Sequence, residues 1–330
     1  MKKRTIFSAI FILIILITII SFKYFNNKNV SKLKVKDGML KNSIGKTIQL
    51  RGVSSHGIQW DLDENIVNYD NLKTLKEEWK INVFRIAMYT EEDGYLNNKE
   101  KIREKVIETI DNCIKLKLYV IIDWHILSDN NPNIHKQEAI EFFDDISKIY
   151  GKNNNVIYEI CNEPNGDDVR WKSSVYPYAK DVIEVIRKNS PDSIIIVGTP
   201  DWCKSILEVI GNQLPYKNIM YAFHFYSGTH GELYRKSLEY AIENGVPVFV
   251  SEWGTSTAEN GTSIFEEESD KWVEFLNNKG ISWVNWSFSN KDEATSILKK
   301  ETKTLNDENL TESGLYVKKK IQEKLLTTNK

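Results

Sequence analysis

The sequence predicts an α/β protein, a closed (β/α)8 TIM barrel entered through a small N-terminal β-hairpin. Three observations carry this reading. Eight short β-rich runs recur along the chain, amphipathic helical patterns separate most of them, and no G-x-G-x-x-G follows the first run. Strands alternating with helices imply a parallel sheet. Eight such repeats fit a closed barrel better than an open doubly wound sheet. The missing glycine fingerprint disfavours a dinucleotide-binding fold.

Before the barrel, Lys2, Lys3 and Arg4 precede an apolar run from Ile6 to Phe22, and Lys23 follows. Residues 1–22 therefore read as a signal-anchor or signal peptide. The flank IISFKYFNN is bulky and offers no small-x-small cleavage site, which favours the uncleaved anchor. Lysines at 23, 28, 32, 34 and 36 leave orientation undecided by positive charge alone. Residues 23–32, rich in Asn and Lys, read as a tether. Both readings route the chain to export, so the expected location is extracellular, secreted or membrane-anchored and facing outward. Membrane contact is expected only through this segment.

Residues 33–326 read as one catalytic-sized domain without an internal linker. Asp37-Gly38 and Ile44-Gly45 are turn signals among alternating residues and predict the hairpin. The β-rich runs then end near Gly52, Ala87, Asp123, Glu159, Val197, Phe223, Val250 and Trp286. Helical faces lie between them: Leu72, Leu75 and Trp79; Val106, Ile107, Ile110, Cys113 and Ile114; Phe142, Phe143, Ile146 and Ile149; Val182, Ile183, Val185 and Ile186. Each approximates the i, i+3, i+4, i+7 spacing. A last helix is expected over 313–325.

Composition narrows the function. Hydrophobic residues make up 41% and charged residues 27%, an ordinary globular balance. A net charge of −2 gives no basic excess, so no nucleic-acid partner is expected. Nine Trp and fifteen Tyr suit either a large core or a flat ligand such as a sugar ring. The three cysteines, Cys113, Cys161 and Cys203, are odd in number and lack CxxC spacing, so buried inert thiols are expected.

In a (β/α)8 barrel the active site lies at the C-terminal ends of the strands. The eight predicted ends supply Arg51, His56 and Trp60; Arg85 and Tyr89; Asp123, Trp124 and His125; Asn162 and Glu163; Trp202; His224 and Tyr226; Glu252 and Trp253; and Trp286. Pro164 stops the fourth strand and leaves Glu163 on its lip. Two chemistries suit this set. Metal-assisted hydrolysis would use His56, His125 and His224, but no His-x-His or His-E-x-x-His spacing exists. Glycoside hydrolysis needs two carboxylates flanking one bond, and Glu163 and Glu252 fall on opposite sides of the mouth.

Seven ordered stretches, RGVSSHGIQW, NVFRIAMYT, IIDWHILSDNNP, YEICNEPNG, HFYSGTH, SEWGTS and WVNWSFSNKDEAT, resemble glycoside hydrolase family 5. The likeness is to its bacterial endo-β-1,4-glucanase (cellulase) branch and runs from about Lys34 to Lys320. It implies a retaining endo-β-1,4-glucanase with no cofactor and no metal, acting as a monomer on a β-glucan polysaccharide. By this resemblance Glu163 is the acid/base and Glu252 the nucleophile. Asn162 would bond the sugar 2-hydroxyl, Arg85 and Tyr226 would touch the nucleophile, and His224 would lie near the acid/base. His125 and Tyr89 would line the cleaved-sugar subsite, with Trp286 as its floor. His56, Trp60, Lys291 and Glu293 would contact sugars on the non-reducing side, and Trp202 would be a leaving-side platform. Asp123 and Glu159 would hold Arg85 or His125. A cis peptide is expected after Trp286.

The resemblance has departures and alternatives. Cys161 stands where Ala is common and Cys203 where Ser is usual. No carbohydrate-binding module is expected after the barrel, an expectation that favours soluble or amorphous glucan. The same fold and mechanism could serve mannan, xyloglucan or mixed-linkage glucan, and a non-catalytic surface glycan-binding protein is the reading furthest from these. Electrostatically, Arg85 is expected to lower the pKa of Glu252. Burial and the Glu252 charge, about 5–5.5 Å away in a retaining enzyme, are expected to raise that of Glu163.

Overall fold

Val-, Ile- and Phe-rich runs form eight parallel strands that close on themselves, and these sit above a two-stranded hairpin. The computed structural model describes residues 30–259 and 261–323. The expected signal-anchor at 1–22 lies outside the described residues, as do most of the tether and residues 324–326 of the expected domain. Among the described residues no helix is long and apolar enough to cross a membrane.

The hairpin pairs β1 (Lys34–Lys36) with β2 (Met39–Lys41), antiparallel, across the Asp37-Gly38 turn. The barrel strands are β3 (Arg51–Ser55), β4 (Val83–Tyr89), β5 (Tyr119–His125), β6 (Val156–Glu159), β7 (Ile195–Val197), β8 (Ile219–Tyr226), β9 (Val248–Gly254) and β10 (Trp283–Phe288). They pair in chain order, and β10 closes against β3. Strands β4, β5, β9 and β10 are buried along their whole length. Helices cover one face and side chains fill the other, so the runs read as continuous apolar stretches.

Several strands extend past the ends expected from sequence. The β4–β5 ladder continues through Ala87–Asp123, Met88–Trp124 and Tyr89–His125. Polar and aromatic residues thus hold strand register, and side chains expected just beyond the strands are fixed by backbone pairing. Four corrections follow. Trp124 packs 5.5 Å from Phe142 of a covering helix, and Trp253 packs 5.6 Å from Phe225 of β8, which itself stacks on the helical Trp272. Successive strand residues face opposite sides, so Asp123, His125 and Glu252 point inward while these two Trp residues point out. Arg51 lies at the opposite end of the barrel, where its Nη1 donates to Glu323 O at 2.7 Å. Ile149 is 45% exposed and leaves the core face that Phe142, Phe143 and Ile146 share. The last helix is Glu312–Gln322.

The nine Trp residues divide between the two readings. Trp79, Trp124, Trp171, Trp253, Trp272 and Trp283 are fully buried in the protein core. Trp60, Trp202 and Trp286 are the three that reach the cleft at the C-terminal mouth.

Candidate active site

Arg85, on β4, is the hub of the mouth and has no exposed surface. Its Nε donates to Glu159 Oε2 at 2.7 Å, its Nη1 to Glu252 Oε2 at 3.1 Å and Ser54 Oγ at 3.3 Å, and its Nη2 to Asn162 Oδ1 at 2.7 Å. Asp123 Oδ2 lies 3.0 Å from Nη2. The planar guanidinium satisfies several partners in fixed directions, which a single ammonium cannot do. Asp123 and Glu159 are therefore supports of the hub, as expected.

 

Two contacts of the His125 ring extend the hub. His125 Nδ1 lies 2.6 Å from Asp123 Oδ2, and its Nε2 lies 3.2 Å from Asn162 Nδ2. The amide donates to Nε2, so Nδ1 carries the ring hydrogen and gives it to Asp123. Burial, then the Arg85 charge, hold the His125 pKa down at about 3, which keeps the ring neutral. Asn162 also donates to Ile126 O at 3.1 Å, so both its N–H groups and its oxygen have partners within the protein. A sugar hydroxyl gains this amide only by taking the place of one of them.

The two acids stand above this layer. Glu252 Oε1 accepts from Tyr226 Oη at 2.8 Å, while Oε2 takes Arg85. Glu163 Oε1 lies 2.8 Å from His224 Nδ1. One carboxylate oxygen of each acid and a ring nitrogen of His224 all lie within 4.8 Å of one another. This is the one group of metal-ligand spacing among the described residues, and it contains neither His56 nor His125. Its members are already engaged: His224 with Glu163 and, through Nε2, with Ser251 Oγ at 2.9 Å, and Glu252 with Tyr226 and Arg85.

The pKa order of the acids is the reverse of the sequence expectation. Burial disfavours a charged His224, but the neighbouring Glu159 and Glu163 carboxylates outweigh it and raise the ring to about 9. Burial alone would raise Glu163, yet the hydrogen bond and charge of His224 hold it below its ordinary value. Glu252 is raised by burial and then by the Glu163 charge. Arg85 does pull it the other way, but that one positive charge also faces Asp123 and Glu159.

Aromatic rings wall one side of the cleft. His56 stacks on Trp60 at 4.8 Å and lies 5.2 Å from Trp286; His125 lies 5.4 Å from Trp286 and 4.1 Å from Tyr89. Tyr89 returns to Trp60 at 5.1 Å. Lys291 Nζ and Glu293 Oε2 are paired at 3.0 Å beside His56. At the other end Trp202 is 44% exposed, with Lys204 Nζ 4.9 Å from its ring centre. The peptide bond after Trp286 is cis.

The cleft encloses about 530 Å³. Its lining includes His56, Tyr89, His125, Glu163, Trp202, His224, Tyr226, Glu252, Trp286, Lys291 and Glu293. Trp60 borders the adjoining cavity that shares His56 and Lys291, while Arg85 and Asn162 lie beneath the floor. Sequence reasoning assigned no role to Lys204, His230, Tyr234, Glu259 or Ser251. Lys204, His230, Tyr234 and Glu259 line the Trp202 end. The only signal for them was His230 in the HFYSGTH stretch.

The sequence matches the cellulase (glycosyl hydrolase family 5) profile over residues 41–292. It is 49% identical over 282 residues to Endoglucanase A of Evansella cellulosilytica, covering 84% of this chain and 57% of that one. It is 48% identical over 293 residues to an endoglucanase of Clostridium saccharobutylicum, covering 88% and 65%. The chain thus spans less than two thirds of the length of these relatives. Among solved structures, Cellulase Cel5C_n superposes with a TM-score of 0.86 at 40% identity, covering 89% of this chain and 93% of that one. The catalytic domain of Thermobifida fusca endoglucanase Cel5A, in a variant complexed with cellotetraose, gives 0.84 at 35% identity, covering 88% and 97%. Profile and relatives agree, and the chain belongs to glycosyl hydrolase family 5.

Proposed function

We propose that this chain is a retaining endo-β-1,4-glucanase that cleaves internal bonds of cellulose-type glucans. One observation carries the stereochemistry: carboxylate oxygens of Glu163 and Glu252 approach within 4.8 Å. Retaining enzymes hold their acids about 5–5.5 Å apart, whereas inverting ones leave about 6.5–9.5 Å for a water. Relatives named endoglucanase, and a structural neighbour complexed with cellotetraose, support the glucan as substrate.

In this mechanism Glu252 attacks the anomeric carbon while the glycosidic oxygen takes a proton from Glu163. The glycosyl–Glu252 ester forms and the leaving sugar departs with that proton. Water then attacks the ester, giving its proton to Glu163 and releasing Glu252 as a carboxylate. Tyr226 and Arg85 orient the two oxygens of Glu252. The proton for the first step belongs to the His224–Glu163 pair. Ser251 Oγ donates to Glu159 Oε1 at 2.5 Å, so it accepts from His224 Nε2–H. The proton between His224 Nδ1 and Glu163 Oε1 is then shared, on nitrogen in the free site and on the carboxyl when it is needed. Esterification of Glu252 removes one negative charge beside Glu163, which favours Glu163 as the base in the second step.

Glycone sugars lie along Trp60, His56, Lys291 and Glu293, and the leaving sugar lies against Trp202. The N-terminal apolar run supports export of the chain. Glu163→Gln and Glu252→Gln should each abolish hydrolysis of carboxymethylcellulose with the fold intact, and full activity in either variant overturns the assignment. A panel adding mannan, xyloglucan and mixed-linkage glucan, with product analysis, decides the preferred glycan.

A further inference from the structure

The segment that carries Glu163 is held through its carbonyls. Cys161 O accepts from Gly198 N at 3.1 Å, and Pro164 O from Trp202 N at 3.2 Å. Glu163 O accepts from Asn165 Nδ2 at 2.8 Å, and Asn162 O accepts from Cys203 Sγ at 3.0 Å. Three of these donors come from one stretch, 198–203, just after β7. The approach is close: a Cβ on Gly198 would lie 2.2 Å from Cys161 O and 2.7 Å from Asn162 O.

The same stretch presents Trp202 to the leaving side. Asp201, Trp202 and Cys203 take φ of 56°, 51° and 61°, three consecutive non-glycine residues in the left-handed region. Such residues persist only where surrounding contacts over-determine them. Cys203 N donates to Thr199 O at 3.0 Å, and its fully buried side chain reaches across to Asn162. Burial keeps that thiol protonated, so it remains a donor.

We propose that Cys203 is a positioning residue for proton transfer at Glu163. Its thiol ties the turn that carries Trp202 to the carbonyl directly preceding Glu163. Trp202 holds the leaving sugar and Glu163 protonates that sugar's oxygen, so this side-chain bond, together with the backbone bonds of Gly198 and Trp202, fixes a single working distance. The inference rests on the reading of Glu163 as acid/base. The thiol touches neither the sugar nor the reacting atoms.

The test compares kcat/KM on two substrates for the wild type, Cys203→Ala and Cys203→Ser. Cellotetraose needs its leaving oxygen protonated, whereas 2,4-dinitrophenyl β-cellobioside releases a phenolate that does not. For Cys203→Ala the expected loss is about ten- to hundredfold on cellotetraose, seated in kcat, and less than about twofold on the aryl glycoside. Cys203→Ser keeps a donor and should restore the cellotetraose rate. Cys203→Val, close in volume and without the donor, should reproduce the split if the alanine variant fails to fold. Equal losses on both substrates, no loss on either, or failure of serine to restore the rate would overturn the proposal. Glu163→Ala is run alongside: if it retains wild-type activity on cellotetraose, the acid/base reading fails, independently of how Cys203 behaves.

Discussion

His224 Nδ1 and Glu163 Oε1 lie 2.8 Å apart, and the other ring nitrogen faces a serine whose own hydrogen goes to Glu159. The ring therefore has one direction in which to exchange a proton, toward Glu163. Two charges of opposite sign in contact, both buried, bind that proton more tightly than an isolated glutamate does. In the proposed mechanism the acid of the first step is therefore a two-residue unit.

On that reading this unit should set the alkaline limb of the activity profile. His224 is raised to about 9, so the shared proton is retained up to that region and lost above it. Glu252 must be ionised to attack, and its pKa is raised, so the acid limb should lie above the ordinary glutamate range. In a pH profile of kcat/KM, His224→Gln should move the alkaline limb to lower pH. An unmoved limb would show that the proton is not shared.

The same residue links pH to stability. Its folded pKa of about 9 exceeds the ordinary value of 6.5, so its contribution is complete below 6.5 and is lost as pH rises through about 9. Thermal unfolding between those limits should show Tm falling with pH in the wild type. The slope should be shallower in His224→Gln, and equal slopes would contradict the linkage.

Much of this site was legible because barrel strands end at one face. Glu163, Glu252, His224 and Arg85 were readable from strand ends and ordered motifs. Their pKa order was not: His224 was expected near Glu163, but its raised pKa depends on the Glu159 and Glu163 carboxylates meeting one buried ring. Trp124 and Trp253 were misplaced beside correctly placed Asp123 and Glu252, since the neighbour of an inward strand residue faces outward. The turn at Asp201, Trp202 and Cys203 left no trace in the sequence. Each left-handed non-glycine residue costs about 1–2 kcal/mol, so composition argues against it and only the contacts to 162 and 164 explain it.

Arg85 should matter to stability as much as to rate. It faces Asp123, Glu159 and Glu252, all buried. Removing one partner of a buried ion pair costs about 3–5 kcal/mol because the remaining charge is left uncompensated. Urea unfolding of Arg85→Ala should show a loss of that order at neutral pH. The loss should shrink in acid, where the stranded carboxylates neutralise by protonation. A pH-independent loss would point to packing alone.

The two exposed tryptophans should separate by product pattern. Trp60 is 41% exposed at the His56 end and Trp202 is 44% exposed at the Lys204 end. Each offers a flat apolar face to a pyranose ring, and loss of such a face is worth about 0.5–1.5 kcal/mol, or roughly two- to tenfold in KM. Trp60→Ala should weaken binding of the glycone and Trp202→Ala binding of the leaving sugar. Cellopentaose labelled at its reducing end reports the cleavage position. Trp60→Ala should shift cleavage so that more of the chain lies on the leaving side, and Trp202→Ala should shift it the opposite way. Shifts in the same direction would mean that the two rings do not lie on opposite sides of the cleaved bond.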